Sequence, residues 1–410
     1  MIKLKKIYSQ WETIFCLSIL LFFGVFVLIQ EKPIFWDESW YRDMVFLFEL
    51  SDSFSSYLDN VKGGPLYGVV QYYFGLILPD SQKGIRSINL ILTALIIVSN
   101  YYLLRMLDDI HPLKNALKVV RIPIIFVLSG LALSELPALF FLTLALLSLV
   151  FAKQKNNNLF YAISGLCFGI ACAGRQPILV SIIGFYYFMF SADNIQLSIN
   201  RILTFSLGVF LTFGLLVIKW NGLLPPNTPL IGAKVLAFDH LLLSFCYAAF
   251  ILFLLSDNWF SFLRKFNSWG LLALFVICAL LNYRFGFVDY LPMKGLVMHY
   301  CQDCVLPIKL IFGGFVLTLA VSNVSAFAYN FYSHRKDKLY ALAVIGSFLV
   351  LLTPIVISEQ FSSRYVGQAI PFLLIISRNQ FESNTLISLV KILISFALGM
   401  ISLASYFDYF

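Results

Sequence analysis

The sequence predicts an all-α protein that crosses a membrane many times. Three observations carry this. Sixty per cent of residues are apolar and 12% are charged, against roughly 45–50% and 25% in a soluble domain. Mean hydropathy is +0.86. Apolar runs near the ~20 residues that a helix needs to cross hydrocarbon alternate with short polar breaks along the whole chain. No polar stretch is long enough for a separate soluble unit, so residues 1–410 read as a single integral membrane domain.

The first run, residues 13–30, follows Lys3, Lys5 and Lys6. No small-residue cleavage site comes after it, so it reads as a retained helix. About thirteen spans are expected in all: 13–30, 86–104, 119–133, 137–152, 159–174, 177–190, 202–219, 241–256, 269–283, 308–331, 339–357, 366–377 and 386–406. With the N-terminus inside, cations are richer in the inner loops and cluster there, as in Arg335-Lys336-Asp337-Lys338. That bias fits the positive-inside rule. It places residues 31–84, the longest region between spans, outside. Within it, Ser39 to Leu50 mixes apolar and charged residues as an interfacial helix does. Residues 69–78 are apolar but too short to span, and read as re-entrant or interfacial.

Other features exclude functions. The net charge of +8 is scattered, with no basic tract, so no nucleic-acid partner is expected. Of seven cysteines, four lie in apolar runs as small hydrophobes. Cys301 and Cys304 form one C-x-x-C with His299 nearby, but a zinc site needs a second ligand pair.

The chemistry concentrates in Trp36-Asp37-Glu38-Ser39-Trp40-Tyr41. Tryptophan and tyrosine suit the membrane–water interface. Carboxylates there need a reason. Desolvation disfavours their charged form, which strengthens a carboxylate as a proton acceptor. The bland reading is an acidic hydrated loop. Further on come Lys62-Gly63-Gly64-Pro65-Leu66-Tyr67, Gly84-Ile85-Arg86, Ser134-Glu135-Leu136-Pro137, Gly174-Arg175-Gln176-Pro177 and Arg364-Tyr365 ahead of Ala369-Ile370-Pro371.

In this order the motifs resemble the GT-C membrane glycosyltransferases, in particular the protein-O-mannosyltransferase-like group that includes the lipid A aminoarabinose transferase. In that group a D-E pair opens the first periplasmic loop, a K-P-P-L-Y-like segment follows, and an Arg begins the next helix. Gly64 stands where the motif has its first Pro, and Arg175 where many members have Lys. The resemblance implies a sugar transfer from a polyprenyl-phosphate donor to an acceptor on a lipid, glycan or protein. It also implies a bacterial inner-membrane location with the site facing the periplasm, and it makes Glu135 a candidate second carboxylate.

The residue types suit that reaction. A phosphate leaving group needs cations, and the acceptor hydroxyl needs one base. Asp37 is the expected base. Glu38, its helical neighbour, faces elsewhere and is expected to orient or pack beside the site. Lys62, Arg86, Arg175 and Arg364 are the expected substrate-binding cations. Arg364 and Lys62 are favoured for the donor phosphate, since guanidinium grips phosphate oxygens bidentately. Each cation has a structural alternative, as a lipid anchor or an ion-pair partner. Tyr67, Tyr41 and Tyr365 read as interface aromatics that can also stack on sugar. No spacing demands a metal, so no cofactor is expected, although Asp37, Glu38 and Glu135 could hold a divalent ion. The competing reading is a transporter or flippase of lipid-linked sugars. Such a protein carries its charges near the middle of several spans, whereas here the acids lie in loops.

Overall fold

The structure is a computed structural model. It describes residues 2–34, 37–78, 81–190, 194–228, 236–256, 258–265, 267–288, 303, 305–357, 361–378 and 385–408. Cys301, Cys304 and His299 lie outside the described residues.

The chain is an all-helical bundle. Helix α1 (Ile2–Ile29) leads into three short helices, α2 (Asp37–Leu50), α3 (Phe54–Asn60) and α4 (Leu66–Gly75). Then come α5 (Gln82–Met106), α6 (Pro112–Ala116), α7 (Pro123–Gly130), α8 (Glu135–Lys155) and α9 (Asn158–Gly174). They are followed by α10 (Ile182–Met189), α11 (Ile195–Val209), α12 (Leu215–Trp220), α13 (Phe238–Leu255) and α14 (Ser268–Phe285). The chain ends with α15 (Val305–His334), α16 (Lys338–Leu352), α17 (Arg364–Gly367), α18 (Ile370–Ile376) and α19 (Thr385–Asp408).

Nine helical stretches among the described residues are long and apolar enough to cross a membrane, from Gln10–Ile29 to Leu386–Phe407. Two more expected spans are shorter apolar helices, Asn158–Gly174 and Gln176–Met189. The expected spans 119–133 and 366–377 are broken. Each consists of a short turn and then a short helix, α7 or α18, with Pro123 or Pro371 in its first turn. Proline lacks the N–H that would continue a helix from the preceding turn and is tolerated only at a helix start. Hydropathy registers such a segment as a span because its side chains are buried, as every residue of α18 is.

Small residues let neighbouring helices close in on each other. A Cβ on Gly165 of α9 would strike the Phe205 carbonyl of α11, and one on Gly208 would strike the Ala162 carbonyl of α9. The outer helices carry exposed apolar side chains, such as Leu21 and Phe22 on α1 and Leu280 on α14. A contiguous apolar surface of this kind suits lipid.

One end of the bundle is closed by a polar knot. Glu12 of α1 pairs with Lys114 at 2.8 Å and with Arg121. Arg121 also donates to Ser388 of α19 at 2.5 Å. Lys118 donates to the Ser377 carbonyl at 2.7 Å, and Arg378 pairs with Asp337 at the start of α16. The candidate site lies at the other end, beyond the end of α1.

Candidate active site

Helix α2 starts the site. Asp37 and Glu38 occupy its first turn, where carboxylates complement the helix dipole. Adjacent helical residues point apart, and the two acids find different partners. Glu38 turns inward and is 2% exposed. Arg86, at 1% exposure, grips it bidentately, Nε to Oε1 at 2.9 Å and Nη2 to Oε2 at 2.8 Å. Arg86 also donates to the carbonyls of Lys32 at 2.9 Å and Pro33 at 2.8 Å. The Ala132 amide donates to Glu38 Oε1 at 2.8 Å. This network ties α1's exit, α2, α5 and the turn after α7 together. Asn89 braces the same turn, donating to the carbonyls of Leu128, Leu131 and Leu133.

Asp37 faces the other way and is partly exposed. Its Oδ2 lies 2.5 Å from Arg364 Nη2, which α17 supplies from more than 300 residues later. Ser362 Oγ accepts from Arg364 Nε at 3.0 Å. A second acid–guanidinium pair lies alongside. Glu135, fully buried in the first turn of α8, pairs with Arg175 at the end of α9.

Tyr41 joins the two pairs. It is one helical turn after Asp37, so both project from the same face of α2. Burial would push its hydroxyl up, but the guanidiniums of Arg175 and Arg364, with a hydrogen bond to Ser134, bring it below the ordinary phenol range despite the opposing Asp37 charge. Tyr365 stands in the field of the same groups. There burial dominates and raises its hydroxyl, against Arg364 and Arg175.

The loop before α4 rests against the last residues of α9. Gly63 has φ +96° and donates its amide to Thr228 Oγ1 at 3.1 Å. That backbone region is costly for any residue but glycine. A Cβ on Gly64 would collide with the carbonyls of Ala173 and Gly174, so the loop lies directly on the end of α9. Tyr57, fully buried, holds it from below by donating to the Pro65 carbonyl at 2.8 Å. Lys62 is exposed on this loop, with no ion pair among the described residues. Tyr67 follows, 1% exposed, its ring 5.0 Å from that of Tyr41. Burial, with Glu38 and Tyr41 nearby, raises the Tyr67 hydroxyl well above its usual range.

All nine residues expected at the site therefore gather at one end of the bundle. They divide into two sets. Arg86 and Glu38 saturate each other inside the scaffold. Asp37, Arg364, Glu135, Arg175 and Tyr365 surround Tyr41, with Lys62 and Tyr67 on the adjoining loop. Ser134 is the addition, and Tyr41, expected as an interface aromatic, instead sets its hydroxyl in the field of Arg175 and Arg364; its spacing from Asp37 was the available signal for that place. Several buried polar atoms here have no hydrogen-bond partner among the described residues, including Arg364 Nη1, Arg175 Nε and Glu135 Oε2.

This many-spanning helical bundle, with acids and guanidiniums gathered at one end, is similar over part of its length to GT-C membrane glycosyltransferases. Residues 62–220 match the model of the dolichyl-phosphate-mannose-protein mannosyltransferase family, whose members take sugar from a lipid-linked donor. The matched stretch includes Lys62, Arg86, Glu135 and Arg175. No curated protein matches the chain.

Proposed function

We propose that this protein is an inverting transferase that moves a sugar from a polyprenyl-phosphate donor to an acceptor hydroxyl at the outer face of a bacterial inner membrane. The observation that carries the reading is Asp37 beside Arg364, within a cluster holding a second guanidinium and an exposed lysine.

The reaction needs one proton acceptor and a cationic seat for phosphate. Asp37 takes the acceptor's hydroxyl proton as that oxygen attacks the anomeric carbon. The bond from that carbon to the phosphate oxygen breaks, and its electron pair leaves with the phosphate. Negative charge on the phosphate grows as the bond breaks, so fixed cations stabilise the transition state more than the ground state. Arg364, Arg175 and Lys62 supply them. Attack opposite the leaving group inverts the anomeric centre, and one carboxylate suffices, unlike the pair that a hydrolytic glycosidase uses. The cations are side chains, and no metal is part of the proposal. Glu38 and Arg86 hold α2 so that Asp37 keeps its position. Tyr365 offers a ring for the sugar to stack on, whereas Tyr67, buried against Tyr41, packs beneath the site.

The test is to incubate purified protein with a panel of polyprenyl-phosphate sugars and an extract of envelope lipids, glycans and proteins. Mass spectrometry should find one donor whose sugar appears on an acceptor, with inverted anomeric configuration by NMR. Retained configuration would remove the single-displacement mechanism.

A further inference from the structure

The cations assigned to the donor phosphate are already engaged. Arg364 holds Asp37 at 2.5 Å, and Arg175 holds Glu135. The two carboxylates and two guanidiniums leave this quartet formally neutral. A sugar phosphodiester adds one negative charge. Lys62, exposed on the loop that rests against Gly174, can balance it, because no described residue pairs with its ammonium. The guanidiniums are not saturated. Arg364 Nη1 and Arg175 Nε are buried without an acceptor among the described residues, and an unmet buried N–H favours any acceptor that can reach it.

An anion that takes Arg364 must therefore compete with Asp37. That competition couples the two substrates. While Arg364 holds Asp37, the carboxylate's Oδ2 is committed to a guanidinium. Once a phosphate occupies the guanidinium, Asp37 is released towards the acceptor.

We propose that the Asp37–Arg364 pair is a latch opened by the donor: the phosphate displaces Asp37 from Arg364, and the base becomes available only when the donor is seated. The Glu135–Arg175 pair yields in the same way on the other side of Tyr41. The donor then binds productively before the acceptor, and a carboxylate is not left free to activate water at an empty site. This rests on the lipid-phosphate donor proposed above.

The latch makes a prediction opposite to that of a simple contact. Removing the charge of the catalytic carboxylate should tighten donor-side binding, because the competitor is gone. The probe is a sugar-free polyprenyl phosphate, with affinity measured on the purified full-length protein in nanodiscs by native mass spectrometry. Asp37→Asn should bind it about tenfold or more tightly than the wild type, the lower end of what close charge pairs contribute. Arg364→Gln should bind it more weakly, and adding Asp37→Asn to Arg364→Gln should restore nothing. Glu135→Gln is an independent variant that should also tighten binding. Wild-type binding with equal or weaker binding by Asp37→Asn and Glu135→Gln would overturn the latch and leave the proposed reaction standing. No binding of polyprenyl phosphate by the wild type or any variant would overturn both.

Discussion

Replacing Arg86 with methionine tests whether this arginine is scaffold or substrate seat. Its guanidinium makes two hydrogen bonds to Glu38 and two to the carbonyls of Lys32 and Pro33, all between 2.8 and 2.9 Å. Methionine fills much of the space and supplies none of the donors. Glu38 stays buried and loses both guanidinium contacts. Removing one partner of a buried ion pair costs about 3–5 kcal/mol, because the remaining charge is uncompensated. In a chain of this size that lowers the unfolding midpoint by roughly 3–6 °C. The buried free thiols of Cys16, Cys172 and Cys278 give the assay, since a thiol-reactive dye reaches them only on unfolding. Glu38→Gln combined with Arg86→Met should recover part of the loss, because the orphaned charge is gone. An Arg86→Met protein that unfolds within about 1 °C of wild type but loses donor affinity would refute the scaffold role and move Arg86 to the substrate.

Other consequences are as direct. Gly64→Ala should lower stability and transfer together, since its Cβ has no room against the carbonyls of Ala173 and Gly174; a variant with wild-type midpoint and rate would mean the loop can lift off α9 freely. Tyr41→Phe should fold normally yet slow transfer, because it removes a hydroxyl held between Arg175 and Arg364; unchanged single-turnover rates would make Tyr41 a packing residue. Arg364→Lys should restore only part of the activity lost in Arg364→Ala, since one ammonium cannot reproduce the bidentate fork; full rescue would show that charge alone matters. With Cys301 and Cys304 replaced by serine, a cysteine at exposed Asp52 should react with an impermeant thiol reagent in intact cells, and one at exposed Ser333 should not; the reverse labelling would invert the topology.

Much of the site was legible because its chemistry is incompatible with its surroundings. Asp37, Glu38, Arg86, Arg175 and Arg364 are charges beside apolar runs, and such charges need partners. Their pairing was not legible. Glu38 lies 48 residues from Arg86 and Asp37 lies 327 from Arg364, and only tertiary packing decides which acid meets which base. Helix geometry did say that the adjacent acids would diverge, and they do. It also put Tyr41 beside Asp37, a signal masked by tyrosine's general fitness for interfaces. The bundle was legible as hydropathy, which counts buried residues and is blind to continuity. Pro123 and Pro371 carried the missing information: α7 and α18 begin there as short inner helices, not full spans. The roles of Gly63 and Gly64 needed coordinates, since a positive φ and a backbone crossing leave little trace in a sequence.

The most direct test of the account is single-turnover transfer by Asp37→Asn, using whichever polyprenyl-phosphate sugar the wild type accepts. Asparagine keeps the shape and can still accept a hydrogen bond from Arg364, but it cannot take a proton. Losing a general base slows the chemical step ~10²–10⁴-fold, so the variant should be monodisperse, bind polyprenyl phosphate and form product at least about a hundredfold more slowly. Transfer at the wild-type rate would contradict the central claim and leave Glu135 as the remaining carboxylate to examine.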